Sequence, residues 1–167
     1  MTGKVEMIRI NWDGLCAMIL LMLPNIAFVL RGKEGFENLW HNRAVECLEQ
    51  IGRFGCFFWM FLELPALCGG FWFPHGRAVC RIAGGALLFL YCAAWIVFWR
   101  REGLFRAAAL SILPCALFLL QGILTRNLPL IAAALIFAPC HILLSLKNAV
   151  RRRSLQKKQC VNTCRTF

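Results

Sequence analysis

The sequence predicts an all-α, polytopic integral membrane protein with five transmembrane helices and one short interfacial amphipathic helix. Three observations carry this prediction. The chain is 60% hydrophobic, above the roughly 45–50% of soluble domains, and its mean hydropathy is +0.64. The apolar residues gather into runs close to the ~20 residues that a bilayer core demands. Fourteen Phe and six Trp against one Tyr suit lipid contact and interfacial anchoring. The length of 167 residues fits one bundle over residues 1–146 and a basic tail over 147–167.

The first span is expected over residues 14–30. Trp12 sits at its entrance as an interfacial aromatic, and Asp13 is placed to cap the free amides that follow. Pro24, beside Asn25, strips the Leu20 carbonyl of its helical donor. Residues 31–53 are the most charged stretch. From about residue 39 they show helical order, with Trp40, Ala44, Cys47, Leu48 and Ile51 on one face and Arg43, Glu46, Glu49, Gln50 and Arg53 on the other. This pattern predicts a helix lying in the interface with its charged face solvated. Glu46 and Glu49 have the spacing of a carboxylate metal pair, but a solvated face is the better account of them.

The second span is expected over 54–70, entered through Gly52 and Gly55, which permit close helix approach. Glu63 falls near the middle of that run, and Pro65 loosens the backbone beside it. The third span is expected over 81–99 and the fourth over 104–125, with Pro114 and Gln121 inside the fourth. A very short turn at Thr125–Arg126–Asn127 makes spans four and five antiparallel neighbours. Asn127 is placed to cap the fifth span, 128–146, which carries Pro139 and His141. The tail is expected to be disordered or to lie on anionic headgroups. Residues 17–32 and 107–122 echo one another faintly, sharing Pro24/Pro114 and Phe28/Phe118, but apolar composition alone produces such matches.

Five spans put the chain ends on opposite sides. Fourteen Lys and Arg then fall on the tail side and five on the other. The positive-inside rule places the tail in the cytoplasm and the N-terminus outside. The net charge of +11 is thereby a matter of topology, and no basic-aromatic motif points to nucleic acid. The chain has the general look of small multi-pass bacterial inner-membrane proteins and carries no motif of a characterised family. The bacterial cytoplasmic membrane is the expected location.

Most of the ten cysteines lie in apolar runs, where a thiol acts as a small apolar group. No C-x-x-C occurs, which argues against a thioredoxin-type centre and a zinc ribbon. Cys68 and Cys80 flank the outer loop between spans two and three and could form a disulfide there if the outside is oxidising. His41, His75 and His141 fall at different depths, so two of them cannot share a haem iron. No metal or cofactor is expected.

The candidate site is intramembrane. A carboxylate at bilayer depth costs roughly 2.5–3.5 kcal/mol on insertion scales, so Glu63 is a functional candidate by default. His141, about 7 Å from it in expected depth at 1.5 Å per residue, is its candidate partner. Asn25 and Gln121 are polar residues inside spans, and Asp13 would extend a sparse ladder of ionisable groups toward the outer surface. Prolines beside polar residues are how transporters open helices around a ligand. The expected function is a small-solute or proton-coupled transport component with its site around Glu63. The alternatives are a membrane-embedded enzyme acting on lipid or thiol substrates and an accessory subunit of a larger membrane complex. The expected partners are the bilayer, anionic headgroups at the tail, and a second copy or another membrane subunit.

Overall fold

The computed structural model describes residues 9–30, 38–99 and 103–165, with side chains through Gln159. The basic residues at 31, 33, 100 and 101 lie outside the described residues, as do the side chains of Cys160 and Cys164. The described chain is all-α: α1 Trp12–Leu30, α2 Arg43–Phe61, α3 Gly76–Val97, α4 Leu104–Leu124 and α5 Leu128–Arg165. Two short strands, β1 Arg9–Ile10 and β2 Leu62–Glu63, pair antiparallel with Arg9 opposite Glu63. Four of the helices, α1, α3, α4 and α5, are long and apolar enough to cross a membrane.

Local chemistry explains the helix starts. Asn11 caps α1 by accepting from the Gly14 amide at 3.0 Å, so the cap lies two residues before the expected Asp13. Asn42 caps α2 by accepting from Val45, and Glu46 accepts back from the Asn42 amide at 3.3 Å. Asn127 caps α5 by accepting from the Leu130 amide at 3.1 Å, as the sequence predicts. Pro24, Pro114 and Pro139 all lie inside continuous helices.

The helices form a closed ring, with α1 between α2 and α3, α4 between α3 and α5, and α5 against α2. Successive helices alternate in direction. The start of α1 meets the end of α2, where the Asn11 amide donates to the Phe61 carbonyl at 2.7 Å. At the same end Trp72 donates to the Ile123 carbonyl at 2.7 Å, and Gly69 pairs with Arg126. At the opposite, tail end Phe28 packs on Trp95 and Trp99, and Asn148 binds the Trp40 amide. The interior is filled by large side chains, with Phe28, Phe118, Met60, Leu117 and Leu130 almost fully excluded from solvent.

Three expectations are corrected. The second span does not run over 54–70, because the helix ends at Phe61 and the chain then turns through β2. The polar backbone of 62–75 closes the end of the bundle instead. The amphipathic segment is not a separate interfacial helix. It forms the first half of α2, and the whole 19-residue helix lies along α5. The tail is not disordered between 147 and 165: it continues α5, whose 38 residues extend about 57 Å at 1.5 Å per residue.

Candidate functional site

The polarity of α2 is inverted relative to a helix on a water-soluble protein. Leu48, Ile51, Phe54 and Phe58 are exposed, while Glu49 is 3% exposed. The apolar face therefore points outward, as expected for lipid contact, and of the charged face Glu49 is turned into the bundle with Gly52, Cys56 and Met60, while Arg43 and Gln50 stay exposed.

The reason is a close helix crossing. Gly52 has no side chain, and a Cβ placed there would lie 2.7 Å from the Phe137 backbone nitrogen. One turn further along α2, a Cβ on Gly55 would lie 3.0 Å from the Ala133 Cβ. In this antiparallel register, each turn forward on α2 is a turn backward on α5. Glu49, a turn before Gly52, must then meet His141, a turn after Phe137. The Glu49 Oε1 lies 2.9 Å from the His141 Nδ1. Arg53, four residues on from Glu49, donates to the same carboxylate oxygen through its guanidinium. The imidazole is held from its other side by stacking on Phe137, with ring centroids 4.6 Å apart.

One carboxylate is thus shared by a guanidinium and an imidazole at a buried helix interface. Taking a charge out of water is costly unless it is paired and hydrogen-bonded, and here two partners offset that cost. Imidazole is also the side chain whose charge changes most readily in the physiological range. Above this contact, residues 38–42 strap the tail ends of α2 and α5. Asn38 donates to Glu46 and accepts from Asn148 at 3.0 Å, and Arg151 donates to the Leu39 carbonyl.

The residues singled out from the sequence do not assemble into one site. Glu63 lies in β2, at the opposite end of the bundle from His141, and accepts from Asn11 Nδ2 at 2.8 Å. Twelve residues of α2 separate Glu49 from Phe61, about 18 Å at 1.5 Å per residue, so the expected Glu63–His141 pair does not form. Asp13 forms an exposed ion pair with Arg81 at 2.9 Å, apart from the buried carboxylate. Asn25 donates to the Tyr91 hydroxyl at 2.9 Å and ties α1 to α3. Gln121 accepts from the Cys80 thiol at 3.7 Å. Cys68 and Cys80, which the sequence allows to pair, are both free thiols. Among the described residues no cluster of three His, Cys, Asp or Glu side chains is arranged to hold a metal.

Glu49 is the residue that sequence reasoning misplaced. Its signal was present: Glu49, Gly52 and Gly55 share one face at spacings of three, so a face that permits close approach also carries the carboxylate. Compared with protein-family models, with curated proteins and with solved structures, the chain matches none.

Proposed function

We propose that this chain is a proton-coupled component of a membrane transport system, with its ionisable centre at Glu49, Arg53 and His141. The observation that carries the reading is the buried carboxylate facing an imidazole across the α2–α5 crossing. Ionisable groups within membrane helices turn inward, pair with one another and mark proton or ion pathways. The groups facing Glu49 are His141 on α5, Arg53 on its own helix and the thiol of Cys115 on α4. A change of one proton in this set alters the net charge at the α2–α5 contact, and α2 links that contact to the amino-terminal end.

In this reading α2 is a fifth crossing. Its 19 residues extend about 28 Å at 1.5 Å per residue, close to the ~30 Å hydrocarbon core. Its outward apolar face and the pairing of Glu49 with Arg53 and His141 support insertion. The N-terminus is outside and the tail cytoplasmic in a bacterial cytoplasmic membrane, supported by the excess of Lys and Arg on the tail side. The basic extension of α5 supports contact with anionic headgroups.

The test is proton entry into vesicles. The purified chain is reconstituted in liposomes loaded with a pH-sensitive dye, and a potassium diffusion potential is imposed with a mixture of small polar solutes outside. We expect entry above that of empty vesicles, lost in Glu49→Gln and in His141→Ala variants that remain inserted. Equal rates with and without protein would overturn the reading. The filled interior favours a second reading, an accessory subunit of a membrane complex. That role predicts no proton entry, together with co-purification of a stoichiometric membrane partner.

A further inference from the structure

At the amino-terminal end, away from the Glu49 centre, a small open pocket of about 110 Å³ lies between the β1–β2 pair and the α4–α5 turn. It is lined by Arg9, Glu63, Pro65, Cys68, Gly70, Phe71 and Thr125. Two of these residues carry opposite charges, and they are direct cross-strand partners in the β1–β2 register. Side chains of directly opposed residues leave a sheet on the same face. Arg9 and Glu63 therefore approach the pocket from one side of the ribbon, as adjacent positive and negative poles.

The described ion pairs contain no contact between them. Glu63 is held instead by Asn11, whose amide donates to Oε1 at 2.8 Å. That bond leaves the carboxylate with further acceptor positions. The guanidinium offers a planar fork that suits a carboxylate. The other lining residues are Pro65, Cys68, Phe71 and Thr125, with Gly70 at φ +72° turning the chain at the rim.

Size limits the ligand. Drug-sized molecules are enclosed by pockets of roughly 300 Å³ or more, so this one is too small to enclose a whole lipid or nucleotide. The space holds several waters, and so a molecule of a few heavy atoms. A small anion alone would be repelled by Glu63, and a small cation alone by Arg9.

We infer that this pocket binds a small zwitterion of the size of glycine or alanine, its carboxylate on Arg9 and its ammonium on Glu63. The inference goes beyond the proton-coupled reading and does not depend on it. It places a solute site at the opposite end of α2 from the ionisable centre.

The experiment measures binding of radiolabelled glycine to the full chain in nanodiscs by scintillation proximity. Protection of Cys68 from maleimide by unlabelled glycine is read in parallel by mass spectrometry. Acetate and methylamine are the half-ligand competitors. We expect saturable glycine binding, glycine protection of Cys68, and competition by each half-ligand at least about tenfold weaker, since each forfeits one charge-assisted contact. Arg9→Gln and Glu63→Gln should each weaken binding by at least about tenfold on the same ground. Arg9 sits on an exposed two-residue strand whose pairing is made by backbone, so its variant tests the site even where Glu63→Gln disturbs folding. No saturable binding at millimolar glycine would overturn the inference. Binding indifferent to Arg9→Gln would do the same. Glycine binding in a chain that shows no proton entry would sink the proton-coupled reading and leave this site standing.

Discussion

Glu49 Oε1 and His141 Nδ1 stand 2.9 Å apart across the α2–α5 crossing, and Arg53 binds the same carboxylate oxygen. The pair is separated by 92 positions in the chain and joined by a helix contact that only glycine permits. Removing one member of such a pair is costly, because it strands a charge without its partner. Glu49→Ala should lower stability by about 1–3 kcal/mol, the range for removing one partner of a buried polar contact, since Arg53 and His141 keep 36% and 22% exposure and can regain water. Replacing Glu49, Arg53 and His141 together by apolar residues of similar volume should recover most of that loss. Thermal denaturation of the full chain in detergent measures both. A triple variant as unstable as Glu49→Ala would mean that the charges do not compensate one another.

The glycine contacts predict an order of effects. At Gly52 a new Cβ meets Phe137 backbone at 2.7 Å, and backbone cannot swing aside. Gly52→Ala should cost about 1–3 kcal/mol as an overpacked site. Gly55→Ala meets only the Ala133 methyl, at 3.0 Å, and should cost less. At Gly85 no atom lies within 4 Å, so Gly85→Ala should be neutral or should stabilise by up to about 1 kcal/mol through helix propensity. The same denaturation assay ranks the three, and an equal loss at Gly52 and Gly85 would refute the proposed helix crossing.

Asn127 performs two tasks while 2% exposed. Its Oδ1 caps α5 at Leu130, and its Nδ2 donates to the Trp59 carbonyl at 2.8 Å. Asn127→Ala loses both and should cost about 1–2 kcal/mol for the cap alone, with a further loss at the orphaned carbonyl. Asn127→Asp keeps an acceptor for the cap and removes the donor, so it should fall between wild type and alanine. An aspartate variant indistinguishable from alanine would assign the whole effect to Trp59.

Cys68 lies in the turn between α2 and α3. Burial pushes its thiol above the ordinary range; the negative charge of Glu63 adds to that, and a hydrogen bond with the Leu64 backbone opposes it. The thiolate is the reactive form. Maleimide labelling of Cys68 should therefore be slower than that of a free thiol near neutrality, and should accelerate as pH rises through and beyond the usual thiol range. Site-resolved mass spectrometry reads this directly. It also checks that Cys68 and Cys80 are both recovered as thiols without reductant.

The proposed orientation, with the tail in the cytoplasm, is tested by labelling. In sealed cells an impermeant thiol reagent should reach a cysteine placed at Gly3 but not Cys160 or Cys164, and permeabilisation should expose the latter. Labelling of the tail from outside would reverse the orientation.

The sequence by itself determined the helical class and the presence of four long apolar helices. These features depend on run length and hydropathy, which are local. It also determined the Asn127 cap, because capping acts over three residues. Periodicity placed Leu48 and Ile51 on an outward face of α2, as they are, but it grouped the buried Glu49 with the exposed Arg43 and Gln50. It could not say whether the charged face meets water or another helix, since both choices show the same 3.6-residue pattern. Only the tertiary structure decided that. The α2–α5 register is set where Gly52 admits the Phe137 backbone, and this contact spans 85 positions from 52 to 137. The same contact carries Glu49 to His141. Glu63 moved for the opposite reason: its apolar neighbours resembled a span, but backbone pairing with Arg9 ended the helix at Phe61 and turned the carboxylate's segment into the cap of the bundle.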